Sequence, residues 1–231
     1  MTAVQGVFFD LDGTLLDTAP DMIAALNRVV MAEGRPAWPA QALRDHVSHG
    51  SAALVRLAFG DDQADVDFER RKQAFLDHYR ARLCVETRLF AGMDTVLEAL
   101  EAQGIVWGVV TNKPGWLTEP LMAQAGLSDR AACIVSGDST AERKPHPLPM
   151  WTAADRAGVD AGACLYIGDA QRDIEAGRAA GMRTLIAGWG YIDEQQVPSH
   201  WGADATLAQP RELLAWLTDA DVASANTARA C

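Results

Sequence analysis

Two carboxylates two residues apart, Asp10 and Asp12, stand in the stretch Phe8-Phe9-Asp10-Leu11-Asp12-Gly13-Thr14, directly after an apolar run. Acids this close repel unless a shared proton or a cation offsets them, and a hard cation with oxygen ligands such as Mg2+ is the usual solution. A solvated acidic turn is the plain alternative. Groups at comparable places along the chain weigh against it. Thr111 and Asn112 close one apolar run, Lys144 lies in the loop after another, and Gly168-Asp169 closes a third, with Asp173 four residues on. Together they are the groups phosphoryl transfer requires: a nucleophile, a metal cage, and donors for the oxygens that carry charge in the transition state.

These residues need a scaffold that brings distant loops to one edge. Apolar, β-branched runs at 4–9, 105–111, 133–136, 164–167 and 184–187 alternate with amphipathic stretches at 93–103, 115–125, 149–157 and 173–180, each of the latter followed by a glycine. That rhythm predicts an α/β fold, a Rossmann-like doubly wound parallel sheet whose strands are covered on both faces. In such a sheet ligands bind outside the carboxyl ends of the strands, where every chemically capable residue above falls. Because the chain leaves its first strand toward Gly13, the Asp10 and Asp12 side chains need not point the same way.

From about residue 16 to 88 the rhythm breaks, with helical patterns and no convincing strand. Pro20 opens one helix whose apolar face is Met22, Ile23, Leu26, Val29 and Val30, and Phe68, Phe75, Leu76, Tyr79 and Leu83 mark a longer one. The economical division is a core from 1–15 and 89–220, an inserted all-helical cap from 16–88, and a flexible tail from 221–231, with a short helix at 212–217.

Length and composition narrow the partners. The 231 residues carry 20 Lys and Arg against 31 Asp and Glu, a formal net charge of −11, so nucleic acid and anionic membrane surfaces are not expected. No apolar run approaches the roughly 20 residues of a membrane span, and acids interrupt the start where a signal peptide would be apolar, so a cytoplasmic protein is expected. Cys84, Cys133, Cys164 and Cys231 show no zinc-ligand spacing and read as reduced, structural thiols. A monomer or a homodimer fits this composition.

The ordered set Asp10-x-Asp12-x-Thr14, Thr111, Lys144 and Gly168-Asp169-x-x-x-Asp173 resembles the haloacid dehalogenase-like superfamily of hydrolases over nearly the whole chain. The resemblance implies a covalent mechanism in which Asp10 attacks phosphorus. Asp12 would protonate the leaving alcohol and then activate water. It implies Mg2+ held by Asp10, the main-chain carbonyl of Asp12, Asp169 and Asp173, phosphoryl oxygens held by Thr111 and the Asn112 amide, and charge offset by Lys144. Ala170 departs from the commoner Ser or Thr at that place, which puts the orientation of Asp169 in doubt. A second acid at position 12 favours ester cleavage over dehalogenation, since halide needs no proton to leave.

The helical insertion resembles the small cap of phosphoglycolate phosphatase-like enzymes, with His49, Gly50 and Arg56 as candidate substrate contacts and Arg56 as the partner of a substrate carboxylate. The stretches at 48–60, 190–192 and 201–204 look somewhat more like bacterial N-acetylmuramic acid 6-phosphate phosphatases. The expected partner is a small phosphomonoester bearing a carboxylate, and the two substrates stay open at this point. A sugar phosphomutase shares the core motifs. A phosphate-accepting receiver domain, from another class, would place its acceptor Asp on a middle strand and lacks the insertion.

Overall fold

The apolar runs form a single parallel sheet. In a computed structural model that describes residues 3–218, the first run becomes β1 (Gly6–Phe9), all four residues buried. The chain then makes a two-residue strand, β2 (Leu16–Asp17), and four helices, α1 (Ala19–Ala32), α2 (Ala40–Arg44), α3 (Gly50–Phe59) and α4 (Asp65–Ala81), before β3 (Arg88–Leu89). Four alternating helix–strand pairs follow: α5 (Met93–Ala102) and β4 (Val106–Val110), α6 (Gly115–Gln124) and β5 (Cys133–Val135), α7 (Leu148–Ala157) and β6 (Cys164–Gly168), α8 (Gln171–Ala179) and β7 (Arg183–Ala187), and after them β8 (Ala205–Leu207) and a helix over 212–218.

The strand order is β5-β4-β1-β6-β7-β8, with every neighbouring pair parallel. The chain runs from β1 outward through β4 and β5, then crosses to the other side of β1 for β6 and β7. Order therefore reverses about β1, and the residue after β1 sits at the switch point where α/β sheets bind ligands. The two faces follow the period of two that a pleated strand imposes: Val7 and Phe9 pack with Val109 and Ile167, while Phe8 packs with Val110, Tyr166, Met150 and Ala153 on the opposite side.

Gly104, Gly126, Gly158 and Gly181, which follow the predicted helices, all take positive φ. Cys133 and Cys164 are free and buried, and burial raises their thiols to about 11 and about 12, so both stay protonated. Cys231 and the expected tail at 221–231 lie outside the described residues. No helix among the described residues is long and apolar enough to cross a membrane.

The region without predicted strands holds β2 and β3, which pair antiparallel where the helical segment leaves the sheet domain and returns to it, Leu16 opposite Leu89 and Asp17 opposite Arg88. Two residues are too few to show alternation in sequence. Asp21 in α1 fixes the return, accepting bonds from the N–H groups of Val85, Glu86 and Thr87 and from the Thr87 hydroxyl. α1 packs on α4, and Glu33 at the end of α1 meets Arg71 (2.7 Å) and Arg70 (2.8 Å). β8 was equally hidden in the sequence, since Ala-Thr-Leu carries little strand pattern.

Candidate active site

The ends of β1, β4 and β6 and the loop after β5 meet on one rim. Asp10 leaves β1 with its N–H donating to Ile167 O at 2.8 Å, and its Oδ1 accepts from Leu11 N–H at 2.8 Å. Gly13 then turns the chain with φ 85°. A Cβ at Gly13 would run into the Asp169 carboxylate and the Tyr191 ring, so both backbone and space require glycine there.

Lys144 crosses the sheet end from the loop after β5 and is nearly inaccessible. Its Nζ lies 2.9 Å from Asp10 Oδ1 and 2.7 Å from Asp173 Oδ1, and donates at 2.9 Å to both Val110 O and the Tyr166 hydroxyl. A buried ammonium with these oxygen partners is compensated where an isolated one would not be. Asn112 brackets the same loop: its Nδ2 donates to Lys144 O at 3.0 Å and its Oδ1 accepts from Lys144 N–H at 3.1 Å. The Thr111 hydroxyl, buried at the end of β4, accepts from Lys113 N–H at 3.2 Å.

Asp10, Asp169 and Asp173 are all buried, and each offers a carboxylate oxygen within 4.8 Å of the others. Asp169 Oδ2 accepts from Ser48 Oγ (2.7 Å) and Tyr191 N–H (2.8 Å), whereas Asp169 Oδ1 is buried without a hydrogen-bond partner. Burial, with the charges of Asp10 and Asp173, pushes the Asp169 carboxyl up to about 7. An orphaned carboxylate oxygen among three acids fits a divalent cation bound by hard oxygen ligands. Ser48 supplies the hydroxyl that position 170 lacks.

Asp12 faces the other way along the rim. Its carboxylate is salt-bridged to Lys113 Nζ at 2.9 Å and accepts from Thr18 Oγ1 at 2.6 Å. Lys113 Nζ also donates to the Tyr79 hydroxyl of α4 at 3.0 Å. Burial alone would lower the Lys113 ammonium, but Asp12 and Tyr79 more than offset it, leaving the lysine above its ordinary value. Burial pushes the Tyr79 hydroxyl up to about 12, so it stays neutral.

Asp10 and Asp12 open on a cavity of about 610 Å3 between the helical segment and the sheet. Asp10, Asp12, Thr111, Asn112, His49 and Gly50 line it, together with an apolar wall that includes Phe75, Tyr79, Trp116 and Leu117. The structure does not bring Arg56 there. It lines a separate shallow depression, with its guanidinium 4.8 Å over the Phe68 ring and 3.9 Å from Asp61. Gly50, Ser51 and Ala52 in the first turn of α3 line the cavity, whereas Arg56 lies further along the helix and does not. The cations that do line the cavity are Lys113, Arg143 and Arg172.

The sequence pattern of the haloacid dehalogenase-like hydrolases matches residues 7–187, from β1 to the end of β7. The chain belongs to this family. It is 46% identical over 212 residues to a phosphoglycolate phosphatase of Xanthomonas campestris pv. campestris, covering 90% of this chain and 94% of that protein. It is 43% identical over 211 residues to an N-acetylmuramic acid 6-phosphate phosphatase of Pseudomonas aeruginosa, covering 91% and 93%. The crystal structure of a "predicted phosphoglycolate phosphatase" from Haemophilus somnus 129PT superposes with a TM-score of 0.81 at 28% identity, over 93% of this chain and 98% of that one.

In this haloacid dehalogenase-like hydrolase several residues at the site were given no individual role by the sequence reading: Ser48, Tyr79, Lys113, Arg143, Arg172 and Tyr191. Lys113 carried a usable signal, a second cation directly after Thr111-Asn112 at a strand end. The bonds from Ser48 to Asp169 and between Tyr79 and Lys113 carried none, because they arise only through the packing of the helices on the sheet.

Proposed function

We propose that the protein is a Mg2+-dependent phosphomonoester hydrolase that works through an aspartyl phosphate on Asp10, with N-acetylmuramic acid 6-phosphate favoured as substrate over phosphoglycolate. The observation that carries the reading is the meeting of Asp10, Lys144, Asp169 and Asp173 at the switch point of the sheet, with Asp10 lining the cavity that Asp12 also lines and the other three buried behind it. Thr111 and Asn112 offer hydroxyl and amide donors to the phosphoryl group, and Lys144 offsets the charge gathered between nucleophile and phosphate. Asp10 Oδ attacks phosphorus as the ester P–O bond breaks, and the leaving oxygen takes the proton of Asp12. Asp12 then removes a proton from water, whose oxygen attacks phosphorus and frees inorganic phosphate and Asp10. Asp10, Asp169, Asp173 and the Asp12 carbonyl would hold Mg2+, which when bound would further neutralise the phosphoryl oxygens. The helical segment from 16 to 88 acts as a cap that excludes bulk water from this chemistry.

The cavity supports the larger of the two candidate substrates. About 610 Å3 with an aromatic and aliphatic wall and a few cations suits a sugar carrying acid and amide substituents, whereas a two-carbon acid phosphate would leave most of it filled with water. Relatives are named for each substrate. The deciding experiment is phosphate release from both compounds by the purified protein, with Mg2+ and with excess chelator, beside an Asp10→Asn variant. Faster turnover of the sugar phosphate, lost on chelation and in the variant, is expected. Phosphate release by Asp10→Asn at the wild-type rate would remove the nucleophile, and preference for phosphoglycolate would reverse the substrate choice. Isomerised sugar phosphate without free phosphate would indicate a mutase.

A further inference from the structure

Asp12 is not left to rotate freely. A carboxyl turns about a broad terminal torsion, so its direction is set by its partners. Here both oxygens lie within reach of one ammonium, Lys113 Nζ at 2.9 and 3.1 Å, while Thr18 Oγ1 donates to Oδ1 from the start of α1. Lys113 is itself fixed. Its side chain is 5% exposed, and its Nζ sits 3.0 Å from the Tyr79 hydroxyl and 4.6 Å from the centroid of that ring. Tyr79 is 1% exposed and stacks on Phe75, with rings 4° from parallel, so it is in turn locked into α4. The chain of contacts runs Tyr79 to Lys113 to Asp12, from the helical segment, through the loop after β4, to the residue two positions past the nucleophile.

We propose that Lys113 is a positioning residue for Asp12, anchored from α4 by the Tyr79 hydroxyl, and that it aims the carboxyl at the ester oxygen that must be protonated as it leaves. The inference rests on the reading of Asp12 as the proton donor. In the step concerned the P–O bond to the leaving group breaks, its electron pair stays on oxygen, and the proton of Asp12 joins that oxygen while phosphorus joins Asp10. Misplacing a catalytic group by about 1 Å costs on the order of a hundredfold in rate, and the loss of general acid catalysis costs about 100 to 10,000-fold. Removing Lys113 is therefore expected to harm the substrates that need that proton and to spare those that do not.

The test compares kcat/KM for N-acetylmuramic acid 6-phosphate, an alkyl ester whose alkoxide must be protonated, with kcat/KM for p-nitrophenyl phosphate, whose phenolate leaves unaided. Because kcat/KM reports only the steps through the first phosphoryl transfer, slower hydrolysis of the aspartyl phosphate does not mask the difference. Lys113→Met is expected to lower the alkyl value about a hundredfold and the aryl value by far less. Tyr79→Phe should show the same pattern more weakly. Adding Lys113→Met to Asp12→Asn should cost little more than Asp12→Asn alone. Equal losses on both esters, no loss on either, or full additivity with Asp12→Asn would overturn the assignment. Should Lys113→Met fail to fold, Tyr79→Phe decides by the same ratio. A wild-type protein that hydrolyses neither ester would instead defeat the phosphatase reading, and this inference with it.

Discussion

Ser48 Oγ donates a 2.7 Å hydrogen bond to Asp169 Oδ2, so a residue in the turn before α3 aims a carboxylate that stands at the end of β6. Arg172 holds that turn in place by donating to Ser48 O at 2.8 Å. A hydroxyl that orients a metal-binding acid typically influences metal affinity by 10 to 100-fold. Ser48→Ala is therefore expected to raise the Mg2+ concentration for half-maximal phosphate release by about tenfold, with turnover at saturating Mg2+ little changed. An unchanged Mg2+ titration would show that the bond has no part in metal binding.

Asp169 predicts a trade of stability for metal binding. Its folded-state value of about 7 stands above the ordinary 3.8, so the folded protein holds this proton more tightly than the unfolded chain does. Stability from this group is intact below the ordinary value, declines as pH rises toward 7, and stays reduced above it. Asp169→Asn should raise the melting temperature of the metal-free protein at pH 8 and abolish the increase that Mg2+ gives the wild type. Thermal unfolding of both proteins with Mg2+ and with chelator checks this, and a metal-free variant that melts lower than wild type at pH 8 would contradict it.

Glu33 acts in the opposite direction. Its hydrogen bond to Arg71, aided by Arg70, outweighs partial burial and holds the carboxyl at about 2, below the ordinary 4.5. The stability it contributes is present above 4.5 and is lost as pH falls toward 2. The difference in urea midpoint between wild type and Glu33→Gln should be larger at pH 7 than at pH 3. A gap that is constant or grows on acidification would mean that the ion pair joining α1 to α4 contributes nothing.

Arg56 and Arg172 separate exposed charge from site charge. Arg56→Ala, at an exposed position outside the cavity, should leave KM for a carboxylate-bearing substrate within about twofold. Arg172→Ala should raise KM about tenfold or more, as removal of a charged hydrogen-bonding partner does. Steady-state kinetics on the two variants decides, and the reverse ranking would return the substrate carboxylate to Arg56.

The core of the site was legible because its chemistry sits at strand ends. Asp10, Thr111, Lys144 and Asp169 each follow an apolar run or lie in the loop after one, and a parallel sheet carries such positions to a common rim without any knowledge of side-chain contacts. The helical segment was legible as helices, since Met22, Ile23, Leu26, Val29 and Val30 fall on one buried face of α1. What those helices present to the cavity was not. The outward swing of Arg56, the hydroxyl of Tyr79 on Lys113 and the bond from Ser48 to Asp169 depend on how α3 and α4 dock, which periodicity does not encode. β2, β3 and β8 were missed because two or three residues cannot display a repeat.

The bracket that Asn112 places on the main chain of Lys144 ties two loops that lie 32 residues apart into one rigid piece. Most of the stretch from 137 to 143 is exposed, yet the position of the cation at its far end is set by a neighbouring loop as well as by its own length. Any change that unclasps residue 112 would therefore shift the Lys144 ammonium beside Asp10 without altering either of those side chains.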